Sequence, residues 1–187
     1  MNYWIGQGFG ILATITELIL PQFKKKHQML VANIFVNLFY GLNLVFLSRI
    51  GSGIFLFAVA IGQGILNLVR TLKDQPSQKW EYPVFCCLYV GLGLYGLFTS
   101  PDFVPAINGR NLLELLPIIG AVLSMIFISI RDVTKARKFL LSCNLTWMTY
   151  HAIIGSTSVF AATCSAVSCT IAMIRNKRAN KAQGESK

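Results

Sequence analysis

Seven apolar stretches, separated by short polar joints, occupy most of this 187-residue chain. They cover about 3–21, 29–48, 53–71, 82–99, 112–130, 138–154 and 157–174. Each is close to the roughly 18–20 apolar residues that carry a helix across a bilayer. The joints are too short to hold a separate folded unit. The pattern predicts an all-α integral membrane protein, with residues 1–187 as one membrane domain. The first stretch has no basic segment before it and no small-residue cleavage site after Pro21-Gln22, so it reads as a retained span.

Charge adds orientation to this pattern. The chain carries 17 Lys and Arg against 7 Asp and Glu, a formal net charge of +10. Placing alternate joints on the same side puts Lys24–Lys26, Arg70–Lys79, Arg131–Lys138 and the basic residues from Arg175 onward together. Only Arg49 and Arg110 fall on the other side. Short loops rich in Lys and Arg stay cytoplasmic. The split predicts seven spans with the N-terminus outside and the C-terminus in the cytoplasm. The excess charge then sets topology and meets anionic lipid heads, so it does not indicate a nucleic-acid partner.

The spans group as three, one and three. An odd linker span gives the two three-helix units the same orientation. Residues 3–72 form the first unit, 82–99 the linker, 111–175 the second unit and 176–187 a polar cytoplasmic tail expected to lack order. Internal similarity supports the pairing. Gly8-Phe9-Gly10 aligns with Ile118-Ile119-Gly120, Asn33 with Asn144, Tyr40 with His151 and Arg70 with Arg175. Parallel repeats of this kind occur in transporters, with the substrate site between them near mid-bilayer.

Candidate chemistry clusters on three helices. Asn144, Trp147 and His151 stand at i, i+3 and i+7 on one face of the sixth span. The second span carries Asn33, Asn37 and Tyr40 on one stripe, and the third carries Gln63 and Asn67 one turn apart. Polar groups at membrane depth need partners. These stripes therefore line a cavity or bond helix to helix. Glu17 is the one acid well inside a span, and an intramembrane carboxylate is a functional candidate. It is placed to couple proton movement to transport or to pair with a nearby side chain. Asn111-x-x-Glu114 reads as a helix-start capping box.

Other chemistry is excluded. Five cysteines lie inside spans as small packing residues. No CxxC or zinc pattern occurs, so no metal is expected. No cofactor is expected either. No nucleophile elbow or phosphate-binding loop occurs and no Lys lies in the interior of a span, so the chain does not read as an enzyme, a nucleotide-driven pump or a retinal protein.

Several motifs resemble the YgjV family of bacterial inner-membrane proteins. They are Gln7-Gly8-x-Gly10, Ile65-Leu66-Asn67-x-x-Arg70-Thr71-Leu72, Glu114-Leu115-Leu116-Pro117-x-Ile119-Gly120 and Trp147-x-x-Tyr150-His151-x-x-x-Gly155-Ser156. The resemblance implies a multi-pass protein of the bacterial inner membrane. A more distant likeness is to SWEET-type and PQ-loop transporters. Pro21-Gln22 is similar to their PQ dipeptide and Trp147-x-x-Tyr150 to the aromatic pair of their sixth span. That likeness implies a three-one-three fold and solute contacts from Trp147, Tyr150 and Asn67. Ala172 stands where those proteins have a second Asn.

The expected function is a small-solute carrier working by alternating access. Its site would comprise Trp147, Asn144, His151, Tyr150, Asn67, Asn37 and Tyr40, with Glu17 as the coupling candidate. The alternative is a non-transporting membrane subunit for partner binding, sensing or assembly. In that case the polar stripes bond to each other and leave no solvent-reachable cavity. The expected partners are the lipid bilayer and a small polar solute, and the small-residue helix faces also permit a homodimer.

Overall fold

The computed structural model describes residues 2–46, 52–99, 115–153 and 158–184. Among them the chain is helical, with no strand. The helices are α1 (Asn2–Ile19), α2 (Lys26–Phe46), α3 (Ser52–Leu72), α4 (Glu81–Phe98), α5 (Leu115–Ser129), α6 (Val133–Ile153) and α7 (Ser158–Gly184). The apolar stretches fold this way because a helix satisfies every interior N–H and C=O within itself. Pro21 has no N–H to continue α1. The chain therefore tightens into a 3-10 turn at Leu20–Gln22, closed by the Phe23 N–H on the Leu20 carbonyl at 3.4 Å.

Three segments are long and apolar enough to cross a membrane: Tyr3–Gln22, Glu81–Phe98 and Val159–Arg178. Leu56–Leu72 and Leu115–Ser129 are shorter apolar helices. α2 and α6 have the length, 21 residues each, but are more polar. Asn33, Asn37 and Asn43 interrupt the first, and Lys135, Arg137 and Lys138 begin the second. α7 also departs from the sequence reading. It stays helical through Gly184, where a disordered tail was expected from Arg178 onward. The extension Arg178-Ala179-Asn180-Lys181-Ala182-Gln183 is rich in good helix formers.

The packing order is legible from neighbours. α1 packs on α2 and α2 on α3; α5 packs on α6 and α6 on α7. α4 lies against both α3 and α5, and α1 meets α7. α4 comes close to α5 because Gly93 has no side chain. A Cβ there would stand 2.7 Å from Ile118 Cγ1.

The surface is apolar and the interior carries polar groups. Ile11, Leu72, Phe160 and Ile171 are more than half exposed, while Gln63 and Ser165 are fully buried. This inversion suits a chain whose solvent is hydrocarbon, since apolar burial gives no drive there and polar pairs hold helices together. Two apolar clusters do form: a small one of Ala60, Tyr89, Ala121 and Met125, and a larger one. Leu20, Met29, Leu30, Phe127, Ile128, Ala136, Leu140 and Cys169 pack together near the end rich in Lys and Arg. Trp4, Trp80 and Tyr82 are exposed near helix ends, where belt aromatics sit. Cys143 and Cys169 are buried as expected, but Cys87 and Cys164 lie on the outer surface.

Candidate functional site

Glu17 is the centre of the polar interior. It sits near the end of α1, one turn before the Pro21 break. The Tyr40 hydroxyl on α2 donates to Glu17 Oε2 at 2.8 Å. Ser165 on α7 also hydrogen-bonds the Glu17 carboxylate. Asn144 Nδ2 on α6 donates in turn to Ser165 Oγ at 2.8 Å. Asn144 and Ser165 are 2% and 0% exposed, so this end of the chain is shut away from solvent, while Glu17 and Tyr40 are half-buried. It runs Tyr40, Glu17, Ser165, Asn144. It therefore joins the first two helices of the chain to the last two.

Trp147 lies one turn from Asn144. Its indole covers Gly120, where a Cβ would meet Nε1 at 2.9 Å. Trp147 and Tyr150 meet edge to face with centroids 6.1 Å apart. Cys143 donates to the Gly120 carbonyl at 3.3 Å, hydrogen-bonds Trp147 and lies within electrostatic reach of Glu17. Cys143 thus stands between Trp147 and the carboxylate. On the other flank, the Tyr40 ring stacks on Phe57 at 5.9 Å.

A second polar network joins α3, α4 and α5. Gln63 Nε2 donates to the Met125 carbonyl at 3.1 Å and to Ser129 Oγ at 3.0 Å. The Tyr89 hydroxyl of α4 donates to Gln63 Oε1 at 3.1 Å. Asn67 Nδ2 donates to the Gln63 carbonyl, and Ser77 Oγ donates to both Asn67 Oδ1 and the Ser129 carbonyl. The joint between α3 and α4 is thereby tied across to α5. The buried Arg70–Glu81 and exposed Arg131–Asp74 ion pairs hold it as well.

A third set fastens the 3-10 turn to α6 and α7. Arg137, 3% exposed, donates from Nε to the Pro21 carbonyl at 3.0 Å and from Nη2 to the Phe23 carbonyl at 2.8 Å. Gln22 Nε2 donates to Ser168 Oγ at 2.9 Å, and Ser168 Oγ donates to the Leu18 carbonyl at 2.6 Å. Lys26, also buried, donates to the Phe127 carbonyl at 2.6 Å and lies 4.4 Å over the Phe127 ring centroid. With no carboxylate to offset its burial, its ammonium pKa is pushed down to about 7.

The residues expected from sequence are thus distributed unevenly. Glu17, Tyr40 and Asn144 share one chain of contacts, Trp147 joins it through Cys143, and Tyr150 packs on Trp147. Asn67 belongs to the second network, next to Gln63. Asn37 donates to the Asn33 carbonyl of its own helix at 2.7 Å. The aligned pair Asn33 and Asn144 differ, because Asn33 Nδ2 is buried without a hydrogen-bond partner. The His151 side chain lies outside the described residues, as do Asn111, Glu114 and Gly155-Ser156. Sequence reasoning did not find Arg137, Lys26, Ser77 or Tyr89 as cross-helix contacts, and it read Gln22 only as part of the PQ dipeptide. The first two look like ordinary loop charges, and the others lack any local pattern that gives their cross-helix partners.

The fold and this interior are those of a membrane protein, and comparison with known families agrees. A family model for bacterial inner membrane proteins, Imp-YgjV, matches residues 4–180. The chain belongs to the Imp-YgjV family. The residues of all three networks, from Glu17 to Ser168, lie inside the matched range, so the polar interior is part of this YgjV-family domain. No curated protein and no solved structure matches the chain.

Proposed function

We propose that this YgjV-family protein is a small-solute carrier of the bacterial inner membrane, with seven spans arranged three, one and three and its basic end in the cytoplasm. Its halves are α1–α3 and α5–α7, with α4 as linker. One observation carries the reading. The hydrogen bonds that join the halves, among the described residues, lie from Glu17 toward the basic end. They include Gln22 with Ser168, Ser168 with Leu18, Arg137 with Pro21 and Phe23, Lys26 with Phe127, and Gln63 and Ser77 with α5. Each is a side-chain bond that can break and re-form without unfolding a helix. A carrier closed on its cytoplasmic side needs such a latch, and alternating access needs a second arrangement of similar energy.

In this reading Glu17 is the coupling group. Tyr40, Asn144, Trp147 and Tyr150 form the solute site around it, with His151 and Asn37 as further candidates on the same helices and Asn67 on α3. The mutual bonding of the polar stripes also favours a second reading, a non-transporting subunit whose polar pairs simply hold the helices together.

Thermal unfolding in detergent separates the two. Sugars, amino acids, organic acids and amines are screened against wild type and Trp147→Ala. A bound solute raises the melting temperature by mass action. The carrier reading predicts a solute that stabilises wild type and leaves a folded Trp147→Ala unmoved. A flat response across the panel favours the subunit.

A further inference from the structure

We propose that the solute is an organic amine cation that exchanges with a proton at Glu17. This rests on the carrier reading above and names its substrate class.

Charge around Glu17 favours a cation. α1, α4 and α5 contain no Lys or Arg, and α2 and α3 carry one each, at their basic ends. The ion pairs among the described residues are Arg70–Glu81 and Arg131–Asp74. Glu17 instead has hydroxyl partners, Tyr40 and Ser165. Hydroxyls orient a carboxylate but do not neutralise it. Among the described side chains no cation answers an ionised Glu17, and a buried charge without a partner is strongly disfavoured, so a cation must come to it. A proton meets that need. A cationic solute meets it equally, whereas an anion adds repulsion and a neutral solute leaves the charge unanswered.

The surroundings favour an organic cation. Tyr40, stacked on Phe57, bonds the carboxylate directly, and Cys143 links its neighbourhood to the Trp147–Tyr150 pair. Aromatic faces attract ammonium groups and are the common receptor for quaternary amines. Among the described residues no group of three or more His, Cys, Asp or Glu gathers, so a multivalent metal site has no shell here.

The exchange balances simply. Protonated Glu17 gives up its O–H proton to water as the amine cation takes its place against the carboxylate. One proton leaves for each monovalent cation bound, and no other bond changes. Because α1 and α2 meet α7 at this residue, both halves sense which cation is present. One-for-one exchange moves no net charge, so flux would follow a pH gradient and ignore membrane potential.

Calorimetry on the full chain in detergent tests this. Tetraethylammonium is the probe, because its charge is permanent and it carries no proton of its own. Titrations at one pH in two buffers of different ionisation enthalpy count the protons released. The expected result is one proton per cation bound. Affinity should weaken about tenfold per pH unit on acidification through the Glu17 titration. Glu17→Gln should abolish binding, and Glu17→Asp should retain it with proton release. The proton count and pH dependence need wild type alone, so a poorly folded variant does not decide the matter.

Binding without proton release, or equal affinity in a folded Glu17→Gln, overturns the proposal. So does heat from sodium chloride, which would mark an alkali-cation site. Binding of glucose or succinate that Trp147→Ala removes overturns the amine class but keeps the carrier. No heat from any of these, with a flat thermal panel, overturns both.

Discussion

Replacing Arg137 with Met should open the end of the bundle that the basic residues mark. Arg137 is 3% exposed and donates two hydrogen bonds to carbonyls of the 3-10 turn, at 3.0 and 2.8 Å. Bonds from a charged donor contribute about 1.5–3 kcal/mol each. Their gross worth is therefore about 3–6 kcal/mol, less the cost of holding a cation out of water. Methionine keeps much of the apolar stem and removes both bonds. A net weakening of the latch of about 2 kcal/mol follows, and this shifts an opening equilibrium about 30-fold. The reporter is native. Cys169 Sγ donates to the Arg137 carbonyl at 3.2 Å and the residue is fully buried. A maleimide read by site-resolved mass spectrometry should label Cys169 about 30-fold faster in Arg137→Met than in wild type. Unchanged protection in a folded variant would refute the latch, because the turn would then be held by apolar packing alone.

Three further expectations follow from the same geometry. The native state releases the Lys26 proton near pH 7 and the unfolded chain near the ordinary lysine range. The unfolded chain therefore holds more protons between about pH 7 and 10, and stability rises with pH across that window. Lys26→Met should match or exceed wild type in melting temperature at pH 6 and lose ground by pH 10; a pH-independent difference would refute this. Gly120→Ala puts a Cβ 2.9 Å from Trp147 Nε1, so the indole must shift. Tryptophan fluorescence should change, and any solute-induced thermal shift should shrink; an unchanged spectrum would contradict the contact. Tyr89→Phe removes one buried bond to Gln63, worth about 0.6 kcal/mol inside a membrane bundle, and the melting temperature should fall by a few degrees at most. A loss of folding would show that Tyr89 does more than bond Gln63.

Much of the helical plan is legible in the chain because hydrocarbon allows few alternatives. The apolar stretches become helices, and Pro21 ends the first within a few residues of the expected point. Glu17 stands out because an acid within an apolar stretch is costly. Its partners do not stand out, since Tyr40 and Ser165 reach it from α2 and α7 and no spacing within one helix encodes that meeting. Arg137 and Lys26 mislead in the opposite way. Beside Lys24, Lys25, Lys135 and Lys138 they read as topology charges, yet the fold turns both inward onto carbonyls. Asn37 shows a third limit. Its stripe position suggests a cavity, but its amide finds the carbonyl one turn back on its own helix.

The central claim is that the two halves rock about Glu17. Lys25, beside the 3-10 turn, and Lys177, on α7, are both exposed at the basic end and belong to opposite halves. We would replace the five native cysteines, place spin labels at Lys25→Cys and Lys177→Cys, and measure their separation in nanodiscs by pulsed electron resonance at pH 5 and pH 8. The account predicts two distance populations whose ratio changes with pH and stops changing in Glu17→Gln. A single distance, the same at both pH values and in both proteins, would contradict it.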